Sequence, residues 1–146
     1  MRRALKDGMT NNSIRNFRDL LVWQRSMDLV LEIYKITSNY PDDERFALTT
    51  HTRKTSISIP SNVAEGCSRR QPIAYVNHLN IAMGSEGELS TQLELGQRLG
   101  YVSARDLERP FNALSEIGRM INGLAGSIEQ SREFQDAQRG IRRARN

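Results

Sequence analysis

Basic side chains cluster in the first half of the chain and are its clearest candidates for chemistry. Residues 45–70 hold five cations and one acid, which gives this stretch a net charge of +4. Lysine and arginine at this density predict a surface that binds phosphate groups and loses affinity as salt rises. The structural alternative, which we favour, is that Arg53 pairs inside the protein while Arg69 and Arg70 are solvated at a helix junction. The candidate nucleic-acid contacts are Arg53, Lys54, Arg69 and Arg70, together with Arg142, Arg143 and Arg145 near the C-terminus.

Three glutamates are the candidates for acid–base chemistry. Glu65 belongs to the basic stretch, whereas Glu86 and Glu88 lie in a later helical pattern, where Glu86 falls among apolar residues. Paired carboxylates could move protons in a catalytic site. The structural alternative, which we favour, is ion pairing with Arg53 or Lys54 that fixes the register of neighbouring helices.

The histidines and the cysteine do not match a known catalytic or metal-binding pattern. Di-iron helical bundles use a Glu-x-x-His motif, but Leu48 and Tyr75 stand three residues before His51 and His78. Nearby arginines could make the Cys67 thiol reactive, yet the sequence offers it no base, and an inert thiol is the favoured interpretation. We therefore predict a protein that is not an enzyme and that uses no metal, cofactor or small-molecule substrate.

The net charge of +4 is distributed unevenly along the chain. Residues 1–18 carry +4 and residues 132–146 carry +3, whereas residues 19–131 carry −3. Basic terminal segments are typically disordered and can contact nucleic acid. The tails, rather than the folded core, therefore hold most of the positive charge.

Length and composition predict one small cytoplasmic domain. The 146 residues suit a single core. The chain has no apolar run long enough for a membrane span, and its charged start is not followed by a signal-peptide core. One cysteine cannot form an internal disulfide, which fits a reducing compartment. We divide the chain into a basic flexible N-terminal tail over 1–16, a helical bundle over 17–130 and a basic C-terminal tail over 131–146.

The first predicted helix, from Asn16 to about Asn39, is apolar around most of its circumference. One stripe at helical spacing is expected to face the core, and it consists of Leu20, Trp23, Met27, Val30, Leu31 and Tyr34. A second apolar set lies largely off that stripe, and it consists of Val22, Leu29, Ile33 and Ile36. Because a helix buried on one side needs only one apolar face, the helix is either the central helix of a larger core or packs its second face on another subunit. We favour the second alternative and assign the second set to a subunit interface.

Proline and glycine residues divide the rest of the chain into three further helices. The second runs through Pro60 to Gly66, and the sequence leaves open whether it kinks or breaks at the proline. The third begins with Pro72 at its first position, where a missing N–H is harmless, and ends at Gly100. The fourth starts near Ser103. Short connections between long helices predict an all-α, up-and-down antiparallel four-helix bundle.

Four motifs, in order along residues 17–128, resemble one protein family. They are Phe17–Gln24; Pro41 with Glu44–Thr49; Ser58–Gly66 with Arg69; and Ile81–Ser85 with Glu88, Leu89 and Leu93. Together they resemble the four-helix-bundle proteins encoded in 23S rRNA intervening sequences. Relatives of that family include the accessory variability protein of diversity-generating retroelements. The chain departs from the family pattern at Thr52 and Thr55, which stand where apolar or small residues are expected.

The resemblance implies a bundle that assembles into a ring-like homopentamer and performs no catalysis. Its motif residues are interpreted as structural, because they would shape a tightly packed helix junction. They are Pro60, Asn62, Ala64, Glu65, Gly66, Gly84, Ser85 and Glu88. Gly84, Ser85 and Gly87 are small enough to let a neighbouring helix approach closely.

Two functional hypotheses follow from the residues and the resemblance. The first is a non-enzymatic, cytoplasmic, homo-oligomeric interaction protein without a membrane or small-molecule partner. The second is a nucleic-acid-binding accessory protein, because the retroelement branch binds nucleic acid and partners a reverse transcriptase through a basic surface. In that case RNA or DNA would contact the basic residues named above.

Overall fold

The computed structural model describes residues 16–146, and this part of the chain is helical and contains no strand. Its five α-helices are α1 (Leu21–Thr37), α2 (Leu48–Arg69), α3 (Pro72–Arg98), α4 (Ala104–Glu129) and α5 (Arg132–Ala144). Two single 3-10 turns, Phe17–Asp19 and Asp42–Glu44, precede α1 and α2. The predicted all-α fold is confirmed. The predicted N-terminal tail lies outside the described residues, apart from Asn16.

Proline, glycine and capping residues set the helix ends. Pro72 occupies the first position of α3, and Ser103 caps α4 by accepting a hydrogen bond from the Asp106 N–H at 3.1 Å. Gly100 follows α3 with φ +80°, a conformation that glycine adopts at little cost. Asn16 forms the expected capping box, but it caps the 3-10 turn, and α1 itself begins at Leu21.

The first four α-helices pack around a common core. Both α1 and α3 pack against α2 and α4, so α1 and α3 lie on opposite sides of the core. Consecutive helices run in opposite directions: Arg53, early in α2, reaches Thr37 at the end of α1, and Gly66, late in α2, faces Tyr75 early in α3. No helix in the described part of the chain has both the length and the apolarity needed to cross a bilayer.

The second helix continues through Pro60. The proline is buried inside a helix that runs without interruption from Leu48 to Arg69. A proline has no N–H to offer the Ser56 carbonyl four residues earlier. The Ser56 hydroxyl separately donates a hydrogen bond to the Arg53 carbonyl at 2.7 Å. The helix ends at Arg69, and the next residue, Arg70, adopts the left-handed conformation with φ 56°.

The orientation of α1 differs from the one expected from its sequence, although Leu20 and Trp23 contact the core as expected. Val22, Leu29 and Ile33 are buried in the core of the single chain, and Ile36 packs against that core. Side chains that are already buried within one copy are unavailable to another, so their assignment to a subunit interface is wrong. The outward side chains come instead from the other stripe, namely Met27, Leu31 and Tyr34.

The C-terminal segment also differs from the prediction. Residues 132–144 form α5, so the described chain has five α-helices where the sequence indicates four. The hydroxyl of Ser131 accepts a hydrogen bond from the Phe134 N–H at 3.2 Å, and the Phe134 side chain is buried. The Ser131 cap and the buried Phe134 side chain thus hold α5 against α3 and α4. The composition of this segment alone predicts a tail.

Candidate functional sites

The contact between α2 and α3 is a line of small and polar side chains. The Asn62 amide donates to the Ser58 carbonyl at 2.8 Å, and its oxygen lies 3.1 Å from Nδ1 of His78. One turn away, the hydroxyls of Ser58 and Ser85 lie 2.7 Å apart. Because each of these groups has a partner within the chain, the line joins the two helices.

Gly66 lets the two helices approach at the end of this line. A Cβ built on Gly66 would lie 2.9 Å from Cβ of His78 and 3.2 Å from the carbonyl oxygen of Tyr75. Neither neighbour is the flexible end of a side chain, so neither yields easily. Any larger residue would therefore push α2 and α3 apart.

Glu65 forms an ion pair at the edge of this contact. Its Oε1 accepts a hydrogen bond from Nη2 of Arg69 at 2.8 Å and lies 3.8 Å from Nε2 of His78. The Arg69 hydrogen bond, followed by the charge of His78, holds the pKa of Glu65 below its usual value. Its partner is therefore Arg69, and not Arg53 or Lys54 as the sequence suggests.

Cys67 lies beside Tyr75 in the same region and is partly buried. Burial raises the pKa of the Cys67 thiol and also that of Tyr75. A thiol with a raised pKa is a weak nucleophile at neutral pH. In the part of the chain that the structure describes, no three His, Cys, Asp or Glu side chains are grouped as metal ligands.

Two of the predicted nucleic-acid contacts in the core are engaged within the chain. Nε of Arg53 donates to the Thr37 hydroxyl at 2.9 Å, and its guanidinium carbon lies 4.6 Å from the centroid of the Tyr34 ring. Arg69 pairs with Glu65, as described above. Lys54 and Arg70 are exposed and have no ion-pair partner within residues 16–146.

Among residues 16–146, the C-terminal helix presents the largest unpaired positive charge. Arg142, Arg143 and Arg145 are exposed, and residues 137–146 include four arginines and no acid. Phe134 shares a groove with Val76 in the second turn of α3, so α5 starts at the same end of the molecule as Arg70. The structure thus places Arg70 at the end of the molecule where α5 begins, and Arg53 and Lys54 on another part of α2.

Two apolar surfaces are exposed on opposite sides of the molecule. The α1 outer stripe consists of Met27, Leu31 and Tyr34, of which Leu31 is 70% exposed. The α3 outer stripe consists of Ile81, Gly84, Glu88 and Leu95, and its two large apolar side chains are 52% and 47% exposed. Sequence reasoning missed the second surface, although Ile81, Glu88 and Leu95 recur every seven residues on one helix face.

Comparison with known proteins identifies a matching family and a solved structure with a similar fold. A family model described as 23S rRNA-intervening sequence protein matches residues 18–123. A solved structure, described as a protein with unknown function from the S23 ribosomal protein family of Bacteroides thetaiotaomicron, has a TM-score of 0.65 and 24% sequence identity. The match covers 72% of this chain and 98% of that chain, and at this identity it shows a shared fold alone.

No curated protein matches the chain. The relation to retroelement accessory proteins stays an expectation. Since the family match spans most of its length, this chain belongs to the 23S rRNA-intervening sequence protein family.

Proposed function

We propose that this protein is a non-catalytic module that works as an assembly of identical copies. The observation that carries the proposal is the α1 outer stripe, where Met27, Leu31 and Tyr34 recur over two helical turns and remain exposed. In a single copy these side chains are in contact with water. Burying them against another protein would stabilise the complex by about 25 cal/mol for each Å² of apolar surface removed from water. Exposed apolar stripes on helices are typical of association surfaces.

The proposed unit is an up-and-down bundle of α1 to α4, with α5 appended. A ring, of five copies by family resemblance, would cover the exposed stripe in every copy. The single cysteine supports a cytoplasmic location, because a protein without disulfides needs no oxidising compartment. The polar side chains between α2 and α3 are hydrogen-bonded to one another or to the backbone, which favours a structural role for this contact over catalysis.

Sedimentation equilibrium of the whole chain tests the proposal. The wild type is expected to show a multiple of the 16.6 kDa chain mass. Leu31→Glu should shift the population to monomer, because it places a charge in the stripe. Ile141→Glu is the matched control, an equivalent change at a 44% exposed residue on α5, and should leave the mass unchanged. A wild type that sediments as a monomer, or an assembly that survives Leu31→Glu, contradicts the proposal.

A second candidate function, nucleic-acid binding, is supported by the charge on α5. Arg142, Arg143 and Arg145 are exposed together without a neighbouring acid. Such a helix end attracts the phosphate backbone through release of condensed counterions. Arg53 contributes less to this candidate than the sequence suggests, because Thr37 and Tyr34 already hold its guanidinium.

Binding to duplex DNA and to structured RNA, each measured at two salt concentrations, tests this candidate. Replacing both Arg142 and Arg143 by Gln should weaken binding and reduce the salt slope by about 0.9 for each lost phosphate contact on duplex DNA. The same double change at Arg109 and Arg119, both exposed on α4, is the charge-matched control. Absence of binding at low salt, or equal effects of the two double variants, contradicts a site on α5.

A further inference from the structure

We infer that the α1 outer stripe of one copy packs against the α3 outer stripe of the next copy, over the gap left by Gly84. This inference rests on the proposed self-assembly and adds to it the identity of both contacting surfaces. It makes the interface head-to-tail, with two different surfaces, rather than symmetric.

Gly84 and Gly87 are open positions on the outside of α3. A Cβ built on either residue would meet no atom within 4 Å, apart from its own helix backbone and chain neighbours. Gly66 on α2 differs, because His78 and Tyr75 fill the space beside it. A glycine inside a helix lowers the stability of that helix relative to alanine. No close contact within residues 16–146 requires a glycine at position 84 or 87. A helix from outside the chain could use the space that they leave.

Apolar side chains flank this gap along the helix. Ile81 lies one turn before Gly84, and Leu95 lies three turns after it, both about half exposed. The α1 outer stripe offers large side chains that such a gap accepts, namely Met27, Leu31 and Tyr34. Small residues on one helix and large residues on the other allow close packing without voids.

The positions of the two stripes exclude their meeting within one copy. Because α1 and α3 lie on opposite sides of the core, each stripe needs a second chain to cover it. Two different surfaces on opposite sides produce a head-to-tail contact, which closes into a ring when the rotation between copies allows. Pairing α1 with α1 would leave the α3 outer stripe exposed and the open glycines unused.

The exposed charges beside the two stripes include groups of opposite sign, although Asp28 beside Met27 has the same sign as Glu88. Glu88 lies in the middle of the α3 outer stripe and is exposed, and within the described residues it forms no ion pair. Lys35 follows Leu31 by one turn, and Lys54 stands next to the arginine that stacks on Tyr34. Both lysines are exposed and equally unpaired. Opposite charges of this kind orient two copies as they approach.

A substitution that fills the gap tests the α3 side. Gly84→Gln places a long side chain where a single copy has open space, so the monomer should fold normally while assembly is lost. Gly140→Gln is the matched control, because Gly140 is also exposed inside a helix with nothing within 4 Å. Circular dichroism and thermal unfolding verify that both variants are folded, and sedimentation equilibrium gives their masses.

Mixing two variants tests the head-to-tail arrangement. Leu31→Glu keeps an intact α3 outer stripe, and Gly84→Gln keeps an intact α1 outer stripe. Each alone should be a monomer, whereas an equal mixture should form a dimer of twice 16.6 kDa that grows no further. The dimer is expected because the α1 outer stripe of Gly84→Gln can still pack against the α3 outer stripe of Leu31→Glu, and no other intact pair of stripes remains.

The outcomes separate this inference from the proposed function. If Leu31→Glu dissociates the assembly while Gly84→Gln matches the wild type, self-assembly stands and the α3 surface is wrong. If both variants are folded monomers and their mixture stays monomeric, the head-to-tail pairing is wrong. A monomeric wild type overturns both proposals. Dissociation by Gly84→Gln, retention by Gly140→Gln and a mixed dimer support the inference.

Discussion

Gly66 and Gly87 are both glycines inside long helices, but their surroundings differ. Gly66 is buried where α2 crosses α3, and its missing Cβ would overlap His78 and press on the Tyr75 carbonyl. Gly87 is exposed and has no neighbour within 4 Å. The same residue type therefore permits a contact within the chain in one place and lowers helix stability in the other.

Alanine substitutions at these glycines should change stability in opposite directions. Gly66→Ala should lower the free energy of unfolding by about 1–3 kcal/mol, because His78 and α3 must shift to accept the added methyl group. Gly87→Ala is the matched control, and in the monomeric Leu31→Glu background, where no second copy contacts α3, it should raise the free energy of unfolding by about 0.5–1 kcal/mol through helix propensity. Urea unfolding by circular dichroism measures both. A Gly66→Ala protein as stable as the wild type would mean that α2 and α3 are less closely packed than described.

The ion pair of Glu65 predicts an acid-dependent stability. Its pKa lies below the usual 4.5 because Arg69 and His78 favour the ionised carboxylate. A carboxyl whose pKa falls on folding stabilises the native state above its unfolded pKa, and this contribution disappears as pH falls through the folded value. Glu65→Gln should therefore lose less stability than the wild type between pH 6 and pH 3.

Urea midpoints across that pH range provide the measurement. Glu94→Gln is a suitable control, because Glu94 pairs with Arg98 in the same i,i+4 arrangement but has no histidine beside it. Parallel acid curves for the wild type and Glu65→Gln would contradict a role for this pair in folding.

The two faces of α1 show what the sequence could and could not predict about a helix. Both apolar stripes are visible in the sequence, because each follows the helical period. Which one faces the core depends on Ser26 and Thr37, which look polar yet are buried. Their hydroxyls donate to the carbonyls of Val22 and Ile33 at 2.7 and 2.8 Å, so burial leaves no group unpaired. Met27, Leu31 and Tyr34 are large side chains at helical spacing, and they draw the prediction to the wrong face.

The same chemistry explains the departures from the family pattern on α2. Thr52 and Thr55 are buried, and their hydroxyls donate to the carbonyls of Leu48 and His51 at 2.7 and 2.8 Å. Threonine thereby occupies core positions without an unsatisfied hydroxyl. The course of the helix at Pro60 was equally hidden in the sequence, because a proline is compatible with a kink, a break or a continuous buried turn.

The C-terminal helix depends on a single buried side chain. Isolated helices of about 12–15 residues are marginal in water, and α5 has 13 residues. Burying one phenylalanine contributes about 1.5–3 kcal/mol, so Phe134 is the main reason that α5 stays folded on α3 and α4. Phe134→Ala should release α5 while α1 to α4 stay intact.

Hydrogen exchange of backbone amides measures this local release. In Phe134→Ala the amides of α5 should lose protection, and those of α1 to α4 should keep it. Ile141→Ala removes a half-exposed apolar side chain from the same helix and should have little effect. Equal protection of α5 in the wild type and Phe134→Ala would show that another contact holds the helix.

At the scale of the whole molecule, the helix boundaries around α3 and α4 were predictable and the number of helices was not. Pro72, Gly100 and Ser103 mark helix ends through rules that act on neighbouring residues, and the structure places them there. The fifth helix was hidden because residues 132–146 are rich in arginine and contain one large aromatic residue. Charge dominates the composition of that segment, whereas one tertiary contact at Phe134 determines its structure.

The family match ends at residue 123, before α5, and both outer stripes lie within the matched range. A chain that stops at Gln130 should therefore keep a cooperative thermal transition and the same number of copies as the full chain. Its midpoint should fall only modestly, because α5 contributes one buried side chain to the structure. A chain that stops at Ala144, without the last two residues, is the control. Calorimetry and sedimentation equilibrium give both readouts. If the chain ending at Gln130 is folded but monomeric, α5 takes part in assembly, and the interface is larger than the two outer stripes.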